Sequence, residues 1–293
     1  MAEYFNLRAS ETLGQEELVE FLKSRFPAAT KQVGRAFVSG TECVEVRVPS
    51  NSPEFDEIRE FIITRRRQQV RGFSAFTLGW YLRKYTKKQL LDAEILLLNP
   101  VSHFEPSGEE CGTVYETLCE HCNWGRQISD LVLDLRRVPQ HKDISQTIAW
   151  VEWVVSSRFA HTFAENEFRG AEFQPVFDLR SPLKRSDNWN QLKITGAAGS
   201  IAGATKMGRD PFSPAEIEWQ CPLGHSMVTQ FLSEIHLERN EWDGSDIAIT
   251  VALFGQGRNL LRPVPLIFIS QRTYRAIHAA GLTGFSLEVA HLT

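Results

Sequence analysis

The chain has 293 residues, 42% of them apolar and 23% charged, which is enough to bury a sizeable core and to divide into two domains. That balance excludes disorder and fibrous repeats. Lys and Arg total 32 against 36 Asp and Glu, a formal charge of -4, which argues against general phosphate-backbone binding and disfavours nucleic acid as a partner.

Met1 to Gln15 carries Glu3 and Glu11 and no apolar core of signal-peptide length, and no run approaches the ~20 apolar residues of a membrane span. A cytoplasmic protein without membrane contact is the expectation. In that compartment five cysteines read as thiols or metal ligands sooner than as a disulfide framework.

Residues 1–100 read as an N-terminal α/β domain. Leu18, Val19, Phe21, Leu22 and Phe26 recur at helical spacing, and the alternation from Cys43 to Val48 predicts a half-buried strand with Cys43 as a small apolar residue. A second helix opens on Ser52 as N-cap with Pro53 at its first position, and ends in Arg65, Arg66 and Arg67. A strand from Phe73 to Leu82, a short helix from Thr86 to Ala93 and an apolar strand from Ile95 to Leu98 complete the segment.

Residues 101–293 contain two stretches that align with one another, about 111–179 and 219–293. Cys122 falls on His225, Asp143 on Asp246, Ile144 on Ile247 and Thr147 on Thr250. After an insertion around Gly255, Gly257 and Pro263, Ser156 falls on Ser270, Arg158 on Arg272 and Gly170 on Gly284. Each copy predicts a Cys-bearing turn, strands, a helix capped by Ser156 or Ser270, and a glycine that closes the helix before a last strand. Asp143 and Asp246 read as caps or turn residues. The stretch from Arg180 to Gly208, with Gly196, Gly199 and Gly203, reads as a flexible connector holding one strand near Leu192.

The chemistry-bearing motif is Cys119-Glu120-His121-Cys122. Two thiolates three apart in a tight turn supply half a tetrahedral shell, and Cys221 with His225 in the second copy supplies the other half. Cys111, eight residues before Cys119, is a competing ligand that would leave only one of Cys221 and His225 needed. A thioredoxin-like redox pair is the rival, but Trp124-Gly125 and a strand-like run follow the motif where that chemistry wants a helix. Four protein ligands make a closed, structural zinc, whereas a metal-dependent enzyme needs an open position. No Gly-x-Ser-x-Gly, His-Glu-x-x-His or phosphate-binding loop sequence is present. The cations from Arg65 to Lys88, interleaved with Trp80 and Tyr81, are the alternative site, a basic aromatic face for nucleic acid.

With these turns in view, the C-terminal two thirds of the chain, from about Cys111 to Leu292, resembles the bacterial double-CXXCG motif proteins, a set that includes immunity proteins against toxins. Asn123 stands where that family has glycine, and the second turn is Cys221-Pro222-Leu223-Gly224-His225, with His in place of Cys. The resemblance implies a non-enzymatic, zinc-stiffened protein that binds a toxin or effector by occlusion. The expected architecture is α+β: an N-terminal α/β segment followed by a duplicated zinc-ribbon-like unit sharing one structural zinc.

Overall fold

The computed structural model describes residues 1–11, 14–33, 43–73, 79–208, 211–212, 219–227, 230–255 and 262–293, apart from the side chains of 33, 182–183, 219–220 and 226–227. The fold is mixed α+β and rich in sheet. It divides into two compact units. The first holds Met1–Thr86 with Met207–Ile217 and Gln230–Leu232, and the second holds the remainder.

In the first unit, β1 (Ala2–Ala9), α1 (Glu16–Arg25), β2 (Thr30–Val33), β3 (Cys43–Pro49), α2 (Pro53–Arg67) and β4 (Gly79–Lys84) follow one another. The strands form an antiparallel sheet in the order β2-β3-β1-β4, the split βαβ topology of ferredoxin-like folds. Phe5 and Leu7 on β1 and Val46 on β3 turn to one face and meet Leu18 and Leu22 of α1 and Ile58 and Ile62 of α2, all fully buried. Such side chains stabilise by roughly 1.5–3 kcal/mol each. Ser52 caps α2 as its sequence predicts, accepting from the Phe55 amide at 3.3 Å. Of the strand expected from Phe73 to Leu82, Phe73 lies in a turn and Gly79 to Leu82 is strand; residues 74–78 lie outside the described residues. Strand β1 is an element beyond those expected, and its Phe5-Leu7-Ala9 alternation points into the core.

In the second unit the chain forms α3 (Lys87–Asp92), β5 (Ile95–Pro100), β6 (His103–Phe104), β7 (Tyr115–Cys119), β8 (Trp124–Gln127), β9 (Leu131–Leu133), β10 (Ile144–Thr147), β11 (Trp153–Ser156), α4 (Ser157–Glu165), β12 (Ala171–Asp178), β13 (Ser181–Ile194) and β14 (Ala197–Gly199). The ribbon of β15 (Met207–Gly208) and β18 (Gln230–Phe231) belongs to the first unit. The second unit resumes with β16 (Trp219–Gln220) and β17 (Ser226–Met227), then β19 (Ile235–Leu237), β20 (Ile247–Thr250), β21 (Phe254–Gly255), β22 (Ile267–Ser270), α5 (Gln271–Ala279) and β23 (Phe285–Leu292).

Two six-stranded sheets result, β6-β10-β11-β13-β12-β9 and β14-β20-β22-β5-β23-β19. Position by position they carry the same strands in the same directions: β6 and β14 pair in parallel with β10 and β20, and β9 and β19 with β12 and β23. With the unit's two halves taken as β5 to β12 and β13 to β23, the central strand of each sheet comes from the other half. β5, which the sequence places with the N-terminal domain, fills the later sheet, and β13 fills the earlier one. The stretch from Arg180 to Gly208 is therefore not a connector. Its residues look polar because the start of β13 is largely exposed, while Trp189, Gln191 and Leu192 further along are buried.

The same hydrogen bonds recur in both halves, and each crosses to the other half. The Asp143 amide donates to the Thr283 carbonyl at 3.0 Å and the Thr283 amide to Asp143 Oδ2 at 2.8 Å. The Asp246 amide donates to the Arg169 carbonyl at 2.9 Å and the Arg169 amide to Asp246 Oδ2 at 3.1 Å. Each carboxylate also accepts from the serine that caps the helix of its own half, Ser156 at 2.8 Å and Ser270 at 3.0 Å, and pairs with Arg158 or Arg272. So the aspartates do more than cap a helix. Gly170 and Gly284 adopt φ of 97° and 103°, and a Cβ on either would lie 2.1 Å from a carbonyl oxygen of the opposite half, Ile247 or Ile144. A Cβ on Gly196 would likewise lie 2.2 Å from the Ile247 carbonyl oxygen, and one on Gly199 2.4 Å from Glu241 Cβ, so these two glycines mark close approaches and not a flexible linker. Among the described residues, no helix is long and apolar enough to cross a membrane.

Gly170→Ala and Gly284→Ala are each expected to cost about 3 kcal/mol or more of stability in urea unfolding. Gly203→Ala, where a Cβ meets nothing within 4 Å, is the neutral control. Burial opposes ionisation of Asp143, but bonds from Arg158, Ser156 and the Thr283 amide outweigh it and hold the carboxyl below its ordinary range. Asp143→Asn should therefore cost about 2–3 kcal/mol at neutral pH. The difference from wild type should be complete above the ordinary carboxylate value and vanish as pH falls through the lowered native one, as read from urea midpoints between about pH 2 and 7.

Candidate metal centre

Strands β7 and β8 form a hairpin with an irregularity at its tip, where Cys119 pairs with Trp124. The tip needs a left-handed residue. Asn123 supplies it at φ 55°, a conformation asparagine tolerates better than most, so the departure from glycine leaves the turn intact. The second turn lies between β16 and β17, with the Cys221 amide donating to the His225 carbonyl at 3.1 Å and Gly224 at φ 80°.

The two turns bring Cys119, Cys122, Cys221 and His225 together, with all four ligand atoms within 4.8 Å of one another. Cys119 Sγ lies 3.7 Å from Cys221 Sγ, and Cys122 Sγ lies 3.2 Å from His225 Nδ1. Sulfurs on a tetrahedral zinc at about 2.3 Å stand about 3.8 Å apart, so the cluster has the dimensions of a four-coordinate metal shell. The three thiols are 2–3% exposed. Burial works to raise the Cys119 thiol, but hydrogen bonds from the Cys122 and His121 backbone and from the neighbouring thiols leave it lowered. Burial and the adjacent sulfurs push Cys122 up to about 12. Sulfurs this close cannot all ionise without a cation between them, and a bound metal supplies that charge. Burial lowers His225, which favours the neutral imidazole that ligates, and the Trp124 ring packs edge-on against it at 5.0 Å.

Cys111, the fifth candidate, is not in the cluster. It sits buried in a 3-10 turn that ends at left-handed Gly112 and accepts from the Asp134 backbone. Strand β7 runs between it and Cys119, and extended backbone at about 3.3 Å per residue carries the two sulfurs apart. Cys43 is buried in β3, as expected. The Cys-x-x-Cys motif caps a hairpin and opens no helix, so the turn lacks the setting of a redox pair. Of the basic run, Arg65 pairs with Glu17, Arg66 donates to the Phe73 carbonyl, and Arg83 is nearly buried against Glu3, while Lys87 and Lys88 belong to the second unit.

Sequence reasoning missed the residues that brace the first turn. Arg262, in the later half, donates to the Asn123 carbonyl and the Ala149 carbonyl, each at 2.7 Å. Its guanidinium lies 3.4 Å over the Trp150 ring, which stacks on Tyr115 at 3.8 Å. The Tyr115 hydroxyl donates to Glu152, a carboxyl raised by burial that also accepts from the Gly108 amide at 2.9 Å. No local pattern marks Arg262, because its partners are loop carbonyls and an aromatic face more than a hundred residues away in the chain. No protein-family model and no curated protein matches this chain.

Arg262→Ala is expected to speed metal loss to a chromogenic chelator by about tenfold or more, the usual effect of removing a group that supports metal ligands. Arg262→Lys should recover little of it, since one ammonium cannot form both bonds and stack.

Proposed function

We propose that the protein is a non-enzymatic binding protein whose second unit is a duplicated, zinc-ribbon-like module clasped by one structural zinc. The observation that carries this reading is the convergence of four soft donors, two from each half, into a single buried cluster. A thiolate-rich set with one imidazole suits zinc. With four protein ligands the ion would keep no position for water or substrate, so its contribution would be rigidity. Cys119 and Cys122 would meet Cys221 and His225 across about a hundred residues of chain, closing a long loop of the unfolded state.

The repeated strand order and the recurring Asp–Ser–Arg–Gly contacts support duplication. The likeness of the cysteine turns to the double-CXXCG proteins supports action as an immunity protein that neutralises a toxin by covering it. A rigid surface on a chain of net charge -4 suits a basic partner such as a nuclease-type toxin, through steering and low ordering cost.

Elemental analysis of the purified protein should give one zinc per chain, and none in the Cys119→Ser, Cys122→Ser variant, whose melting temperature should drop. Calorimetric titration against toxins encoded beside the gene should give submicromolar binding to one of them. No zinc in the wild type would refute the clasp, and no binding to any neighbouring toxin would refute the immunity role.

A further inference from the structure

The helices of the first unit cover one face of its sheet, and the residues that alternate to the other face are of a different kind. Register places Tyr4 and Arg8 of β1 on that face with Arg47 and Glu45 of β3, because Phe5, Leu7, Val44, Val46 and Val48 all turn to the helices. Trp80 and Lys84 of β4 and Lys31 of β2 join them. Arg8 and Arg47 are about half exposed, with side-chain accessibilities of 51% and 43%, and Lys31 and Lys84 are exposed.

Among the described residues, four cations therefore share this face with one carboxylate, Glu45, which lies 2.7 Å from Arg8 and 3.6 Å from Arg47. The face is basic on a chain that is acidic overall, and it is the local charge that a ligand meets. The aromatic rings are interleaved with the cations: the Arg8 guanidinium lies 5.3 Å from the Trp80 ring centre and the Lys84 ammonium 5.4 Å from that of Tyr4. Tyr4 and Trp80 are diagonal neighbours on adjacent strands, a spacing of about 7–8 Å that long aromatic side chains bridge.

We propose that this open sheet face binds single-stranded nucleic acid, with Arg8, Lys31, Arg47 and Lys84 meeting phosphates and Tyr4 and Trp80 offering planes on which bases stack. Flat rings beside cations match a ligand that is itself an alternation of flat rings and anions. An acidic peptide would use the charges and leave the rings idle. A duplex keeps its bases stacked inside and would do the same. The site lies wholly in the first unit and involves neither the metal cluster nor the run of arginines that ends α2.

The test is fluorescence anisotropy of labelled oligo-U and oligo-dT, each of about twelve nucleotides, titrated with the full chain at about 50 and 200 mM salt. Binding should weaken with salt at a log–log slope of about -2 to -3, the value for three or four phosphate contacts on a single strand. Lys31→Glu combined with Lys84→Glu should weaken it at least tenfold, and Trp80→Leu should weaken it with the slope unchanged. Both lysines are exposed, so the charge-reversed chain remains folded by circular dichroism and decides the matter even where Trp80→Leu does not fold. Arg67→Ala combined with Arg71→Ala should change nothing. The proposal is overturned by no binding at the lower salt, by binding indifferent to the lysine reversals, by loss of binding in the Arg67 and Arg71 variant, or by duplex or polyglutamate binding as tightly as the single strand.

Discussion

Each six-stranded sheet of the second unit has its centre filled by a strand from the opposite half of that unit. Without β13, strands β11 and β12 have no partner between them, and without β5 the same holds for β22 and β23. The halves are thus committed to one another through backbone hydrogen bonds before any side chain is considered. The aspartate locks follow from this, because the exchange brings Asp143 to the Thr283 turn and Asp246 to the Arg169 turn. So do the two glycines, since backbone from one half runs where a Cβ of the other would stand. The shared core is also a product of it: Leu96 and Leu98 of β5 pack in one cluster with Ile144, Phe159, Leu192 and Ile277 from both halves.

The metal cluster extends this joining to the unit's outlying turns. Its two hairpins lie outside the six-stranded sheets, the first a two-stranded ribbon and the second extended only by the two-residue β21, and ribbons this short are marginal in water. Four donors that could share one metal ion, with Arg262 tying the Asn123 carbonyl to the Ala149 loop, would give them a fixed geometry that their few backbone bonds could not. Beside it the halves differ. Glu152 occupies a place where the later half has Leu266, since the backbone amides of both donate to equivalent threonines, Thr147 and Thr250. One half therefore buries a carboxyl under Tyr115 where the other places a partly exposed hydrocarbon, and the arginine–aromatic stack exists on that side alone among the described residues.

What could be read from the sequence follows from how local each signal is. Ser52, Ser156 and Ser270 cap the helices they precede, because a cap is written in a few adjacent residues. The pairing of Cys122 with His225 was legible because the repeat supplied a long-range alignment that periodicity cannot. The strand exchange left no comparable trace: β5 looks like any buried strand, and β13 hides its role behind an exposed polar half. Cys111 misled because distance along the chain says nothing about a strand running between two thiols. Net charge likewise averaged away the basic sheet face, whose cations are spread over four strands and gather only when the register is known.

The exchanged strand also bears on what half of the unit would do alone. A fragment from β5 to β12 carries a sheet with an empty slot at its middle and, at its start, a strand of the shape that fills the equivalent slot next door. Two such fragments could each donate that strand to the other about a twofold axis.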